Sequence, residues 1–249
     1  MSDLAQHLRT AVQGGPTVTP AEIGGLAEAY SIARATRTLA LANGETLAGY
    51  KVGLTSPSSR AVYQATEPAS GYVLTSTVLK DGEPLQTAGL SAPRAEVEIA
   101  FLLAEPLTGP GITPADVLAA TASIAPAFEL VASRWTGGPK TLEMLVADNT
   151  NASHVLLGEP SPVPADLSTI TCTLTIGDHT VEGNATAVMN GNPAASVAWL
   201  ANHLAESGDH LQAGHLILTG TLCPPTPFTA GDTLKAEIPG LGSLTLTTK

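Results

Sequence analysis

The spacing of apolar residues changes period several times along the chain, and those changes mark its elements. Leu4, Leu8, Ala11 and Val12 recur at helical spacing, which predicts a first helix over 3–12, broken by Gly14-Gly15-Pro16. Thr19-Pro20-Ala21-Glu22 has the form of a helix start, with threonine as N-cap, proline at the first helical position and glutamate placed for a capping box. An alanine-rich second helix is therefore expected to run to about Leu41, where Asn43-Gly44 stops it. From Thr46 the period becomes strand-like. Leu47 to Leu54 is a strand interrupted by Gly49 and Gly53, and glycines inside a strand mark close approach by a ligand or another backbone. A short helix over 58–64 and a loop over 67–71 follow.

Pro93-Arg94-Ala95-Glu96-Val97-Glu98 runs directly into the apolar Ile99-Ala100-Phe101-Leu102-Leu103-Ala104, the clearest signal of a buried strand. Thr113-Pro114-Ala115-Asp116 repeats the threonine-proline helix start, for a helix to about Ala122. Ile170 to Ile176, the turn Gly177-Asp178 and Thr180 to Val188 predict a hairpin. Asn192-Pro193 opens an amphipathic helix through Val197, Leu200, Ala201 and Leu204, ended by Gly208. His215 to Thr221 reads as a buried strand, and two short strands follow over 233–238 and 243–247. Many strands with few crossover helices predict an α+β fold with a mixed or antiparallel sheet. No repeat or linker divides the chain, so one domain over 1–249 is expected, with residues 1–45 as a helical N-terminal section.

Against that pattern three acids stand out. Alternate side chains of a strand share a face, so Glu96 and Glu98 point the same way. Glu129 lies in a second apolar segment, Ala125 to Val131. Carboxylates in such surroundings repel one another and are costly to bury unless a cation neutralises them. Oxygen ligands of this kind suit a hard divalent ion, magnesium or manganese. Lys51 is the one cation in the glycine-spaced strand.

Composition narrows the function. The 249 residues carry a formal charge of -11, which argues against nucleic acid or an anionic membrane as partner. Only 13% of residues are charged, so each acid in an apolar run is conspicuous. Two cysteines, Cys172 and Cys223, make no disulfide framework, and Cys172 reads as a small buried hydrophobe. The six histidines are dispersed without ligand spacing; His154, beside the Asp148–Ser153 segment, is the one to watch. Trp135 and Trp199 read as core or interface aromatics, and Asp148 and Asn149 as holders of a loop. No basic, apolar leader opens the chain and no apolar run is long enough to span a bilayer, so a cytoplasmic protein is expected.

The ordered set Gly49-Tyr50-Lys51-Val52-Gly53-Leu54-Thr55-Ser56, Arg94-Ala95-Glu96-Val97-Glu98, Glu129, Ala147-Asp148-Asn149, Asn192-Pro193 with Ala198-Trp199-Leu200-Ala201-Asn202, and Leu218-Thr219-Gly220 resembles the 2-keto-4-pentenoate hydratase and 4-oxalocrotonate decarboxylase branch of the fumarylacetoacetate hydrolase superfamily. The resemblance implies the superfamily's mixed β-sheet roll, in a homo-oligomer that can associate with a pathway enzyme. It implies a lyase of aromatic catabolism, dependent on Mg2+ or Mn2+, that acts on 2-oxo or 2-hydroxydienoate acids through a metal-bound dienolate. Glu96, Glu98 and Glu129 become the metal ligands and Lys51 the catalytic residue, either a proton carrier or a charged group that binds the substrate carboxylate. Gly53, Leu54, Ser70, Asn151 and Thr219 become the substrate-binding positions.

The chain departs from the family pattern where the hydratases carry the aspartate of a Pro-Asp-Phe-Gly loop. Here the loop reads Glu67-Pro68-Ala69-Ser70-Gly71, and Ala69 cannot transfer a proton. Glu67 and Ser70 are the neighbours that could substitute. Asn151 replaces a serine and Asn192 a histidine of the hydratases. The loss at Ala69 favours decarboxylation over hydration. Competing expectations are hydrolytic cleavage of an acylpyruvate, which lacks its His-x-x-Glu arrangement here, and a non-catalytic scaffold, which has no reason to keep a costly acidic cluster.

Overall fold

A computed structural model describes residues 2–249, so Met1 of the expected N-terminal section lies outside it. The chain opens with helices α1 (Ser2–Val12) and α2 (Leu26–Ala42). Strand β1 (Leu47–Gly53), helix α3 (Pro57–Val62) and strands β2 (Ala69–Leu74), β3 (Val78–Leu79) and β4 (Arg94–Leu103) follow. Next come α4 (Pro114–Ala120), β5 (Thr121–Val131), α5 (Leu142–Ala147) and β6 (Ala152–Leu157). The remainder is β7 (Thr171–Ile176), β8 (His179–Asn184), α6 (Pro193–Ala205), β9 (Leu216–Leu218), β10 (Thr226–Pro227), β11 (Thr233–Ile238) and β12 (Gly242–Thr247).

The strands form two sheets. The larger has eight strands in the order β2-β1-β9-β4-β5-β6-β3, with β10 paired to β4; the smaller has the order β12-β11-β7-β8. Pairs β1/β9 and β3/β6 are parallel and the others antiparallel, the mixed sheet expected from so few crossover helices. Strands β4 and β5 are buried along most of their length because both faces are covered. One face packs Val97, Ile99, Phe101, Phe128 and Leu130 into a core with Leu174, Leu234 and Leu246 of the small sheet and Val197 and Leu200 of α6. The other holds a small cluster, Val73, Ala100, Ala127, Val155, Leu216 and Leu218. Glu96, Glu98 and Glu129 alternate onto this second face, at one end of it.

Two local expectations change. Helix α2 begins at Leu26, not after Thr19, because Val18 bridges to Trp135: its N–H donates to the Arg134 carbonyl at 2.8 Å and its own carbonyl accepts from Thr136 N–H at 2.9 Å. The helix entry is handled instead by Glu28, whose carboxylate accepts the Gly24 N–H at 2.7 Å. The expected loop at 67–71 is strand from Ala69 onward, since β2 pairs with β1 from Gly53↔Ala69 to Leu47↔Leu74. Thr113 does cap α4 with Asp116 in a capping box, and the helix stops at Ala120 because Thr121 joins β5. Among the described residues no helix is long and apolar enough to cross a membrane.

Candidate metal centre

Strand register assembles the centre. Glu96 lies directly opposite Glu129 across the β4/β5 ladder, and Glu98 opposite Ala127. Lys51 of β1 faces Leu218 of β9, which faces Ala100 of β4, two residues beyond Glu98 on the same face. Each of the three glutamates offers an oxygen within 4.8 Å of the others. Glu98 and Glu129 are 0% and 1% exposed and Lys51 is 3% exposed, so solvent reaches the cluster mainly at Glu96.

The polar atoms of the cluster are incompletely paired. Glu98 Oε2 accepts the Gly220 N–H at 2.7 Å, whereas Glu98 Oε1 and both Glu129 oxygens have no hydrogen-bond donor. Lys51 Nζ stands 3.2 Å from Glu129 Oε1 as an ion pair and donates to the Thr150 carbonyl at 3.2 Å. Burial and then the charge of Glu129 push Glu96 up to about 7, and burial with Glu129 and Glu96 raises Glu98 well above the usual carboxylate range. Burial works against the Lys51 ammonium, yet the charges of Glu129, Glu96 and Glu98 outweigh it and raise its pKa. Three convergent carboxylates against one ammonium, with buried oxygens unpartnered, fit a divalent cation with oxygen preference.

Glycines make the space for Lys51. A Cβ on Gly53 would sit 3.2 Å from Lys51 Nζ and 2.9 Å from Thr150 Cγ2; one on Gly71 would sit 3.1 Å from Lys51 Cδ and 2.9 Å from the Asn149 carbonyl oxygen. Gly49, at φ 158°, lets β9 approach, since a Cβ there would overlap the Leu216 carbonyl. The close approach expected in this strand is thus by the protein's own lysine and backbone.

Asn149, Thr150 and Asn151 form a turn with φ of 52°, 52° and 59°, a left-handed run that is strained for a β-branched threonine. The Asn149 amide replaces a neighbouring strand: its Oδ1 accepts Tyr72 N–H at 2.7 Å and its Nδ2 donates to the Tyr72 carbonyl at 2.9 Å. Thr150 Oγ1 donates to the Ser70 carbonyl at 2.8 Å. Asp148 holds Arg134 beneath the turn in a buried ion pair. The loop-holding role expected of Asp148 and Asn149 is what these bonds describe.

The remaining expected positions divide. Leu54, at φ 57°, follows Gly53 at the end of β1, and its carbonyl accepts from Arg60. Asn151 has a buried Oδ1 with no partner. The Ser70 side chain belongs to the face opposite Lys51, in a small pocket with Tyr30 and Tyr50. The Thr219 hydroxyl donates to the Ile99 carbonyl at 2.9 Å; the following residue's N–H is what reaches Glu98. His154 lies on the face away from the glutamates, bonded to Ser153, and burial lowers its pKa. A cavity of about 330 Å³ between α1, β2 and β6, lined by Arg9, Tyr72, Arg134 and His154, touches the cluster only at Glu129.

The profile of the fumarylacetoacetate (FAA) hydrolase C-terminal family matches residues 33–248. The chain belongs to this family. A 2-keto-4-pentenoate hydratase of Burkholderia vietnamiensis is 35% identical over 254 residues, covering 99% of this chain and 97% of the relative. A 4-oxalocrotonate decarboxylase of Pseudomonas sp. strain CF600 is 35% identical over 220 residues, covering 88% of this chain and 83% of the relative. The structure of 4-oxalocrotonate decarboxylase from Pseudomonas putida G7, complexed with magnesium and adipate, superposes with a TM-score of 0.94 at 30% identity, over 100% of this chain and 97% of that one. The expectations of a fumarylacetoacetate hydrolase fold, of the hydratase and decarboxylase branch and of a metal-dependent lyase stand with these relatives.

Proposed function

We propose that this fumarylacetoacetate hydrolase family member releases carbon dioxide from a 2-oxo-enedioic acid of the 4-oxalocrotonate type, with Mg2+ or Mn2+ held by Glu96, Glu98 and Glu129. The observation that carries the choice of reaction is the lack of a second proton-transfer acid. Ala69 is buried against the cluster around α1, α2 and α5. Neither neighbour replaces the missing carboxylate: Glu67 accepts from Trp199 Nε1 at 3.3 Å on α6, and the Ser70 side chain lies on the far face of the sheet. Water addition needs a group to activate water and another to protonate carbon; decarboxylation needs one proton donor.

A divalent cation held by Glu96, Glu98 and Glu129 would supply a Lewis acid at the oxo-acid end of the substrate and would stabilise negative charge that develops there. The protein's own groups do the rest. Glu98 and Glu129 are fixed by the β4/β5 ladder and by Gly220 N–H, so the acid end of the substrate meets a rigid frame. Lys51 donates to the Thr150 carbonyl and stands beside Glu129 as an ion pair, which points its ammonium into the cluster where it would meet the substrate. As the remote C–C bond breaks, its electron pair moves through the conjugated chain toward the C2 oxygen and carbon dioxide leaves; Lys51 is the nearest proton source for the product. Glu98, Glu129 and Lys51 are buried, which limits the approach of water to the Glu96 side of the cluster.

The test is to incubate the purified protein and Mg2+ with 4-oxalocrotonate and, separately, with 2-hydroxypenta-2,4-dienoate, following dienoate absorbance and released carbon dioxide. Carbon dioxide from the first with slow loss of the second supports decarboxylation. Turnover of the second alone supports the other reading, hydration, which the hydratase relative favours. Silence on both removes the proposal.

A further inference from the structure

The two cysteines take no part in the chemistry of the acid cluster, yet the fold brings them together. With Leu174 and Ile176, Cys172 forms the buried face of β7, and it lies directly opposite Gly183 of β8. On an antiparallel ladder, opposite residues hold their Cβ atoms about 4.5–5.5 Å apart on one face. Gly183 has no Cβ, and Cys223 fills the place: a Cβ built there would lie 2.6 Å from both Cys223 Cα and Cys223 Cβ. The Cys223 side chain therefore starts where a cross-strand partner of Cys172 would start, within reach of the Cβ separation of about 3.5–4.5 Å that a disulfide needs. Both thiols are buried and they interact. Cys172 is pushed above the ordinary thiol range by its neighbour and by burial, and the same contact holds Cys223 below it. Cys223 belongs to the irregular segment between β9 and β10, beside exposed Pro224, so local opening of a few residues brings its sulfur to solvent. That segment also carries Gly220, whose N–H holds Glu98, and Leu222, whose N–H donates to the Val97 carbonyl at 2.8 Å and whose carbonyl accepts Asn184 N–H at 2.9 Å.

We propose that Cys172 and Cys223 form a reversible oxidation site, where a peroxide closes a disulfide that staples the Gly220-bearing segment to the small sheet. The Cys223 thiolate attacks one peroxide oxygen; the O–O bond breaks, hydroxide leaves and Cys223 becomes a sulfenic acid. The Cys172 sulfur then attacks the Cys223 sulfur, the S–O bond breaks, and the hydroxyl departs as water with the Cys172 proton. In sum the two thiols lose two electrons and two protons, and hydrogen peroxide becomes two waters. A dithiol reductant reopens the bond by thiol–disulfide exchange, so in a reducing compartment the pair stays reduced until an oxidant appears. Closure joins 172 to 223 in a loop of about 50 residues, which is expected to raise the melting temperature by about 5–15 °C. None of this depends on which reaction the metal centre performs.

The test treats the full-length protein, with Mg2+ present, with millimolar hydrogen peroxide, blocks remaining thiols with a maleimide under denaturing conditions, and maps the digest by mass spectrometry. The expected result is a peptide pair linked through Cys172 and Cys223, with no covalent dimer. The melting temperature should rise by about 5–15 °C and return on addition of dithiothreitol. Cys172→Ala and Cys223→Ala should show no such rise after peroxide, which separates the staple from oxidation of methionine. Should either variant fail to fold, the linked peptide in the wild type still decides the matter. Two thiols that remain free, or that oxidise singly to sulfinic acid without a linked peptide, would show that the pair only fills the core, and would overturn the proposal. So would a disulfide between two chains, a linked peptide with an unchanged melting temperature, or a rise that persists in Cys172→Ala.

Discussion

Replacing Glu96 by glutamine should make the metal-free protein more stable at pH 8 and leave it almost unchanged at pH 4. Burial first, and then the charge of Glu129, raise the Glu96 pKa from 4.5 to about 7. The folded state therefore holds a proton that the unfolded chain has already released once the pH exceeds about 4.5. Unfolding releases it, so stability is present below that value and is lost as the pH rises to about 7, amounting to about 3 kcal/mol. Glutamine cannot ionise and is spared the loss. For a chain of 249 residues, each kcal/mol moves the melting temperature by about 2–4 °C, so the gap between variant and wild type should open from near zero at pH 4, through about 2–3 °C at pH 5, to about 6–12 °C at pH 8. Thermal melts in chelator across that range provide the measurement. Glu98 is raised in the same direction and in part by the charge of Glu96 itself, so its own penalty also falls in Glu96→Gln and widens the gap. Millimolar Mg2+ should reverse the order, since only the wild type keeps all three ligands. A gap that is independent of pH, or a metal-free wild type more stable than Glu96→Gln at pH 8, would refute the crowded-carboxylate account.

Glu129→Gln should not share that gain, because it also removes the ion-pair partner of Lys51; its metal-free melting temperature at pH 8 should lie below that of Glu96→Gln. Lys51→Met should lower turnover by about a thousandfold while Mg2+ still binds, measured by steady-state assay and calorimetry. Gly53→Ala, whose new methyl would press on Lys51 Nζ and Thr150 Cγ2, should reduce kcat with the fold retained; unchanged kcat would mean that the lysine's position is not critical. Ala69→Asp introduces a carboxylate into an apolar cluster, so it should lower the melting temperature; water addition to 2-hydroxypenta-2,4-dienoate rising above the wild-type rate would support the idea that the missing acid sets the reaction.

What the sequence discloses here is what is local. The strand carrying Glu96 and Glu98, the Thr113 cap, the hairpin turn at Gly177-Asp178 and the helix opened by Asn192-Pro193 follow from neighbours within a few residues. The start of α2 does not, because Val18 is captured by Trp135, far along the chain. Strand β2 was hidden for a similar reason: Ala69-Ser70-Gly71 has no β-branched residue, and only pairing with β1 makes it a strand. In the site, the three glutamates and Lys51 were visible because charge is rare in such apolar runs. The Gly220 N–H and the Thr150 carbonyl were not, since main-chain groups leave no signature in residue type. Cys172 of β7 and Cys223 of the segment between β9 and β10, remote in sequence, are both buried and their thiols interact.

The anchoring of Lys51 by a peptide oxygen has a consequence for mutagenesis. Truncating the side chain of residue 150 leaves that oxygen in place, so a conventional alanine scan would pass over one of the lysine's two tethers and credit its placement to Glu129 alone. The tether depends on the curl of three successive peptides, and its disturbance would register only through changes that unwind them, such as a proline at 150 or a deletion within 149–151.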